Sequence, residues 1–82
     1  MDALPELPGI FGEILVEARR DAGLSQEQVA AAIGASNVFI SLLENGKRQP
    51  SLTAAIRLAW SLGLTPEELM RRVARRLDAP HG

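Results

Sequence analysis

Ser25-Gln26-Glu27-Gln28-Val29-Ala30-Ala31-Ala32-Ile33-Gly34-Ala35-Ser36-Asn37-Val38-Phe39-Ile40-Ser41-Leu42-Leu43-Glu44-Asn45-Gly46 is the stretch whose reading decides the fold. It reads as two short helices joined by a tight glycine turn. Ser25 caps the first helix, and Gln28 three positions on completes a Ser-x-x-Gln capping box, in which each side chain bonds the other residue's backbone N–H. Val29, Ala30 and Ile33 recur at helical spacing, and Gly34 falls where a helix stops in the left-handed conformation. Ser36 follows only two residues later. It caps a second helix with Ile40 and Leu43 on the inner side and Gly46 at its end. So short a turn brings the two helices close together, and Ala30 is the small residue that such an approach needs.

Two helices joined in this way form a helix-turn-helix, the arrangement that places its second helix in the DNA major groove. The pattern continues on both sides, through Leu24-Ser25-Gln26, Ile40-Ser41, Glu44-Asn45-Gly46, Pro50-Ser51 and Leu62-Gly63. On these residues, taken in order, the chain from about Phe11 to Met70 resembles the Cro/C1-type (XRE-like) helix-turn-helix regulators. That resemblance implies an all-α, five-helix, lambda-repressor-like domain with the helix-turn-helix on helices 2 and 3. It also implies a sequence-specific regulator that binds a palindromic double-stranded DNA operator as a homodimer. Its small size resembles restriction–modification controller proteins and small phage-type repressors. The other readings are an antitoxin that represses its own operon, and a protein-interaction module that kept the fold and lost DNA binding.

Working outward, Phe11, Ile14, Leu15 and Ala18 fall at i, i+3, i+4 and i+7, so a first helix is predicted over Ile10 to Ala22, ended by Gly23. Gly46 to Pro50 is a loop. Ser51 caps a fourth helix with Leu52, Ala55, Ile56, Ala59 and Leu62 inward, closed by Gly63. Thr65-Pro66-Glu67-Glu68 combines a capping Thr, Pro at the first helical position and Glu at the third. The fifth helix then carries Leu69, Met70, Val73, Ala74 and Leu77, with Arg71, Arg72, Arg75 and Arg76 as a solvated face. One domain spans 1–82, divided into an N-terminal arm at 1–9, a four-helix core at 10–63 and a C-terminal helix at 65–78. The last residues, 79–82, are expected to fray, with the lone histidine, His81, inert.

Composition narrows the functions. The chain has 82 residues, enough for one small core, and no cysteine, which excludes disulfides and thiolate metal sites. Its aromatic residues are two Phe and one Trp, so the core must be built from Leu, Ile, Val and Ala. The acidic, proline-broken start lacks the basic-then-apolar pattern of a signal peptide, and no apolar run reaches membrane-spanning length. A cytoplasmic protein is expected. Nucleophile–base pairs and phosphate-cradling glycine loops are missing, so no enzyme, cofactor, metal or small-molecule ligand is expected. Charge runs against DNA binding at first sight, because nine Lys plus Arg face ten Asp plus Glu. Distribution offsets this. Lys47 and Arg48 follow the third helix, whereas Asp2, Glu6, Glu13, Glu17 and Asp21 lie in the N-terminal segment and first helix.

The resemblance assigns roles residue by residue. Gln26 and Ser36 open the two helices of the motif and face the DNA backbone. Asn37, Val38, Ser41 and Leu42 form the outward face of the third helix. Asn bonds adenine bidentately, and an apolar side chain in the groove has the thymine methyl as its partner. Asn45, Lys47 and Arg48 complete the DNA-binding set, with Phe39 packed beneath the helix. Arg19 and Glu44 correspond to an ion pair that ties the first helix to the end of the third. Met70, Val73, Ala74 and Leu77 exceed what one helix needs to cover a small core, and are assigned with Trp60 to a dimer interface. Trp60 fits either that interface or the core beside Ile56.

Overall fold

A computed structural model describes residues 4–78, and these form five helices with no strand among the described residues. They are α1 (Leu7–Asp21), α2 (Gln26–Ile33), α3 (Asn37–Glu44), α4 (Leu52–Ser61) and α5 (Pro66–Asp78). No helix is long and apolar enough to cross a membrane. Residues 79–82, with His81, and residues 1–3, with Asp2, lie outside the described residues.

Local sequence accounts for most boundaries. The Ser25 hydroxyl accepts from the Gln28 backbone N–H while the Gln28 side chain accepts from that of Ser25. Thr65 and Glu68 repeat the same exchange at the start of α5. Ser36 and Ser51 cap α3 and α4. Gly34, which closes α2, has φ +69, a conformation open to glycine at no steric cost. The start of α1 departs from expectation, beginning at Leu7 rather than Ile10. Pro8 lies in the first turn, where its missing N–H is no loss and its fixed φ suits a helix. The expected arm is thus shorter than 1–9, because apolar periodicity cannot register a first turn whose side chains only half-reach the core.

The core is one cluster of Phe11, Ile14, Leu15, Ala18, Val29, Ala30, Ile33, Ile40, Leu43, Leu58, Ala59, Leu62, Leu69 and Val73. Leu15, Val29, Ile40, Leu43, Leu58 and Ala59 are wholly buried, so four of the five helices meet at its centre. The expected face of α4 needs correction. Leu52 is 76 % exposed, and Leu58, assigned no inward place, is fully buried. Seven of the ten residues Leu52–Ser61 are apolar, so several stripes satisfy the helical period and only packing selects among them. Trp60 is 65 % exposed, which removes it from the core.

On α5, Leu69 and Val73 seal the core, and Leu77 packs half-buried against it. Val73 therefore serves the monomer core, correcting its place on a mating surface, whereas Leu77 keeps part of its surface in solvent and Met70 and Ala74 are exposed. Arg76 is likewise no free solvated charge. It donates from Nη1 and Nη2 to the two carboxylate oxygens of Glu17 on α1, at 2.6 and 3.0 Å. This hydrogen-bonded pair holds the Glu17 carboxyl below its ordinary pKa and raises that of Arg76.

Candidate nucleic-acid interface

The site begins with the approach of α2 to α3. Ala30 is buried, and the Ala35 N–H donates to its carbonyl at 2.9 Å, closing the turn around Gly34. Two residues later Ser36 accepts from the Phe39 N–H at 3.1 Å, so α3 starts with its first turn fixed. Ile40 and Leu43 are wholly buried, and the opposite face of α3 is therefore presented outward. Asn37 and Val38 are exposed, Val38 by 67 %, while Ser41 and Leu42 are half-buried beside them. The expected four outward residues do share one side of the helix, with the first turn projecting furthest.

The end of α3 is held from three directions. A β-carbon added to Gly12 of α1 would lie 2.6 Å from the carbonyl oxygens of Leu43 and Glu44, so α1 crosses this end backbone to backbone. Gly12 escaped the sequence reading. Its signal was a glycine in mid-helix beside the inward Phe11, where the conformational cost must be repaid by a close approach.

Arg19 and Glu44 meet as the resemblance implies, with Nε 2.6 Å from Oε2 and Nη2 3.2 Å from Oε1. Their side chains are only 13 % and 5 % exposed. Arg19 Nη1 also donates to the Leu24 carbonyl at 2.9 Å, just ahead of the α2 cap. Gln26 supplies a partner that sequence reading did not foresee: its Nε2 donates to Glu44 Oε1 at 2.8 Å. The spacing of Gln26 and Glu44 on different helices carries no local signature, so only the folded arrangement reveals this bond.

Beyond α3 lie the cations. Lys47 and Arg48 are exposed, and the Lys47 N–H donates to the Leu42 carbonyl at 2.9 Å, which turns the loop back toward the helix. The Arg48 guanidinium sits over the half-buried Phe39 ring, 5.8 Å from its centroid, within the range of a cation–π contact. Phe39 thus packs beneath α3 and also seats a cation on its flank. Asn45 turns inward on its own helix, donating from Nδ2 to the Ser41 carbonyl at 2.8 Å. The same nitrogen also approaches the Ser41 hydroxyl oxygen at 3.4 Å, which leaves the amide oxygen for an outside partner. Electrostatically, the Glu44 carboxylate, which would repel a polyanion, is buried and neutralised by Arg19, while both loop cations stay in the open. The small basic patch therefore survives the negative balance of the chain.

Similarity to known proteins follows this geometry. A family model described as helix-turn-helix matches residues 15–69, more than half of the chain and the segment that contains α2 and α3. An uncharacterised HTH-type transcriptional regulator of Sinorhizobium fredii, y4dJ, is 38 % identical over 61 residues, covering 74 % of this chain and 79 % of that protein. The control protein C.MunI of a Mycoplasma species is 36 % identical over 66 residues, covering 79 % of this chain and 89 % of that one. The crystal structure of the restriction–modification controller protein C.AhdI of Aeromonas hydrophila superposes with a TM-score of 0.72 at 37 % identity. That match covers 76 % of this chain and 94 % of the other.

Proposed function

The chain belongs to the helix-turn-helix family of DNA-binding transcriptional regulators, and from that premise we propose that it acts as a homodimer on a two-fold related operator. A controller of a restriction–modification system is the subclass favoured by its similarity to C.MunI and C.AhdI. The observation that carries the reading is the first turn of α3, where capped Asn37 and Val38 project into solvent from a helix whose other face is wholly buried. A helix so mounted enters a major groove with its N-terminal residues against base edges. Asn37 reads an adenine and Val38 or Leu42 touches a thymine methyl, while Ser41 offers a hydroxyl to neighbouring edges. Gln26, Ser36, Asn45, Lys47 and Arg48 contact the backbone on either side and set the register. The protein performs no catalytic step, and its duplex partner places it in the cytoplasm.

Dimerisation is assigned to a surface shifted from α5 toward α4. Leu52, Ile56 and Trp60 recur every four residues along α4, and Met70 of α5 lies beside Leu52 and Ile56. An apolar cleft of about 280 Å³ runs between, lined by Leu52, Ala55, Ile56, Leu69 and Met70. Large apolar side chains at 76 %, 65 % and 50 % exposure for Leu52, Trp60 and Met70 call for a covering partner. A second copy of the chain satisfies that need and supplies the second half-site.

A protein-interaction module is the competing reading, favoured by the formal net charge of −1 and the exposed Val38. Binding to duplex DNA over a salt series separates the two. A regulator loses affinity steeply with salt, as Lys47 and Arg48 of both subunits release counterions. An interaction module binds no duplex at any salt.

A further inference from the structure

Glu44 has two bonded neighbours, and only one of them is its ionic partner. Its Oε1 accepts from both Arg19 Nη2 and Gln26 Nε2, at 3.2 and 2.8 Å, while Oε2 accepts from Arg19 Nε. We propose that Glu44 is a positioning residue for DNA binding, which orients the Gln26 amide so that its free N–H is offered to a phosphate oxygen. The inference rests on the DNA-binding reading above and adds to it the device that makes Gln26 a donor.

The chemistry is directional. A primary amide has a donor side and an acceptor side that are nearly equal in shape, and an unrestrained Gln presents either. A carboxylate only accepts, so Gln26 must turn its NH2 group toward Glu44. One N–H is used there and the second remains for an outside acceptor. A flipped amide would aim its carbonyl oxygen at the phosphate, where the two acceptors repel. A bare carboxylate at this place would also repel the DNA, and the Arg19 guanidinium prevents that by pairing with it through two nitrogens. Arg19 neutralises, Glu44 orients and Gln26 donates. The three residues come from the first, third and second helices, so the contact is made only when all three are docked.

The test uses a duplex enriched from a random pool, and compares Gln26→Ala in the wild-type protein with Gln26→Ala in an Arg19→Met/Glu44→Leu background. That background removes both charges together, which folded proteins tolerate far better than loss of one. In the wild type, Gln26→Ala should weaken binding about tenfold, the order expected of one hydrogen bond to a charged group. In the charge-free background it should weaken binding less than about twofold, because the amide is no longer oriented. Equal losses in both backgrounds would overturn the proposal while leaving Gln26 at the phosphate and the regulator reading intact. No loss in either would remove Gln26 from the DNA and overturn it too. A wild-type protein that binds no duplex would instead defeat the regulator reading itself.

A second measurement needs no variant. In the free wild-type protein one Gln26 side-chain amide proton should exchange slowly and resonate apart from exposed amides, because the Glu44 carboxylate holds it. Two Gln26 amide protons that both exchange at the rate of exposed amides would contradict the orienting role.

Discussion

The backbone of Gly12 lies against the carbonyl oxygen of Glu44 so closely that a β-carbon at Gly12 would stand 2.6 Å from it. The obstacle is main chain, which cannot swing aside as a flexible side chain does. Gly12→Ala should therefore push α1 away from the end of α3 and cost about 1–3 kcal/mol, the usual range for overpacking. Because Glu44 moves with that end, DNA affinity should fall further than the lost stability explains. Chemical denaturation and binding by the same variant check the two effects together.

The Arg19–Glu44 pair should behave as a buried unit. Removing either partner alone leaves an uncompensated charge at a nearly closed site and should cost up to about 3–5 kcal/mol. Removing both should cost less than the sum of the singles. Urea unfolding of the four proteins in the cycle measures this. Additive losses below about 0.5 kcal/mol would place both side chains in solvent.

Surface and core positions on the last two helices should separate cleanly. Trp60→Glu and Met70→Glu place charge on exposed side chains and should dissociate the dimer while helicity is kept. Leu77→Glu and Val73→Glu put charge against the core instead and should unfold the monomer. Sedimentation and circular dichroism distinguish the outcomes. Folded Trp60→Glu and Met70→Glu proteins that remain dimeric would move the interface elsewhere.

Acid should loosen α5 from α1. The Arg76 hydrogen bond holds the Glu17 carboxyl below the ordinary Glu value of 4.5, so the folded state binds that proton less readily than the unfolded chain. Its stabilisation is complete above the unfolded pKa and is lost as pH falls through the lowered folded value. The effect is small, since both side chains are well exposed and salt screens them. Protection factors of α5 amides, which correct for the slowing of intrinsic exchange in acid, should fall in the wild type below pH 4.5 relative to pH 7. Glu17→Gln should lower them already at neutral pH and flatten the acid response.

How much of this was legible beforehand follows from where each signal resides. The caps at Ser25, Ser36, Ser51 and Thr65 act within one turn of chain, so the local sequence announces them and four of the five helices begin where it says. Ile40 and Leu43 were legible because the helix-turn-helix pattern fixes which side of α3 faces inward, although Val38, Phe39 and Leu42 on the same helix are apolar too. On α4 the surplus of apolar residues made Leu52 and Leu58 indistinguishable by period, and packing alone selected Leu58. The Arg19–Glu44 pair came from resemblance rather than from any spacing rule. Gln26–Glu44, Glu17–Arg76 and the Gly12 crossing join helices distant in sequence, and nothing local encodes such contacts.

Selection of bound sequences from a random duplex pool tests the central claim most directly. The account predicts two inverted half-sites about one helical turn, roughly 34 Å, apart, as a helix-turn-helix dimer requires. Repeating the selection with Asn37→Ala should erase the preference at one base pair per half-site, at a cost of about 1–3 kcal/mol. Arg48→Ala should weaken every sequence alike and lower the salt dependence by about one unit per lost phosphate contact. A pool that yields isolated half-sites would contradict the dimer, and a pool that shows no enrichment at all would contradict sequence-specific binding.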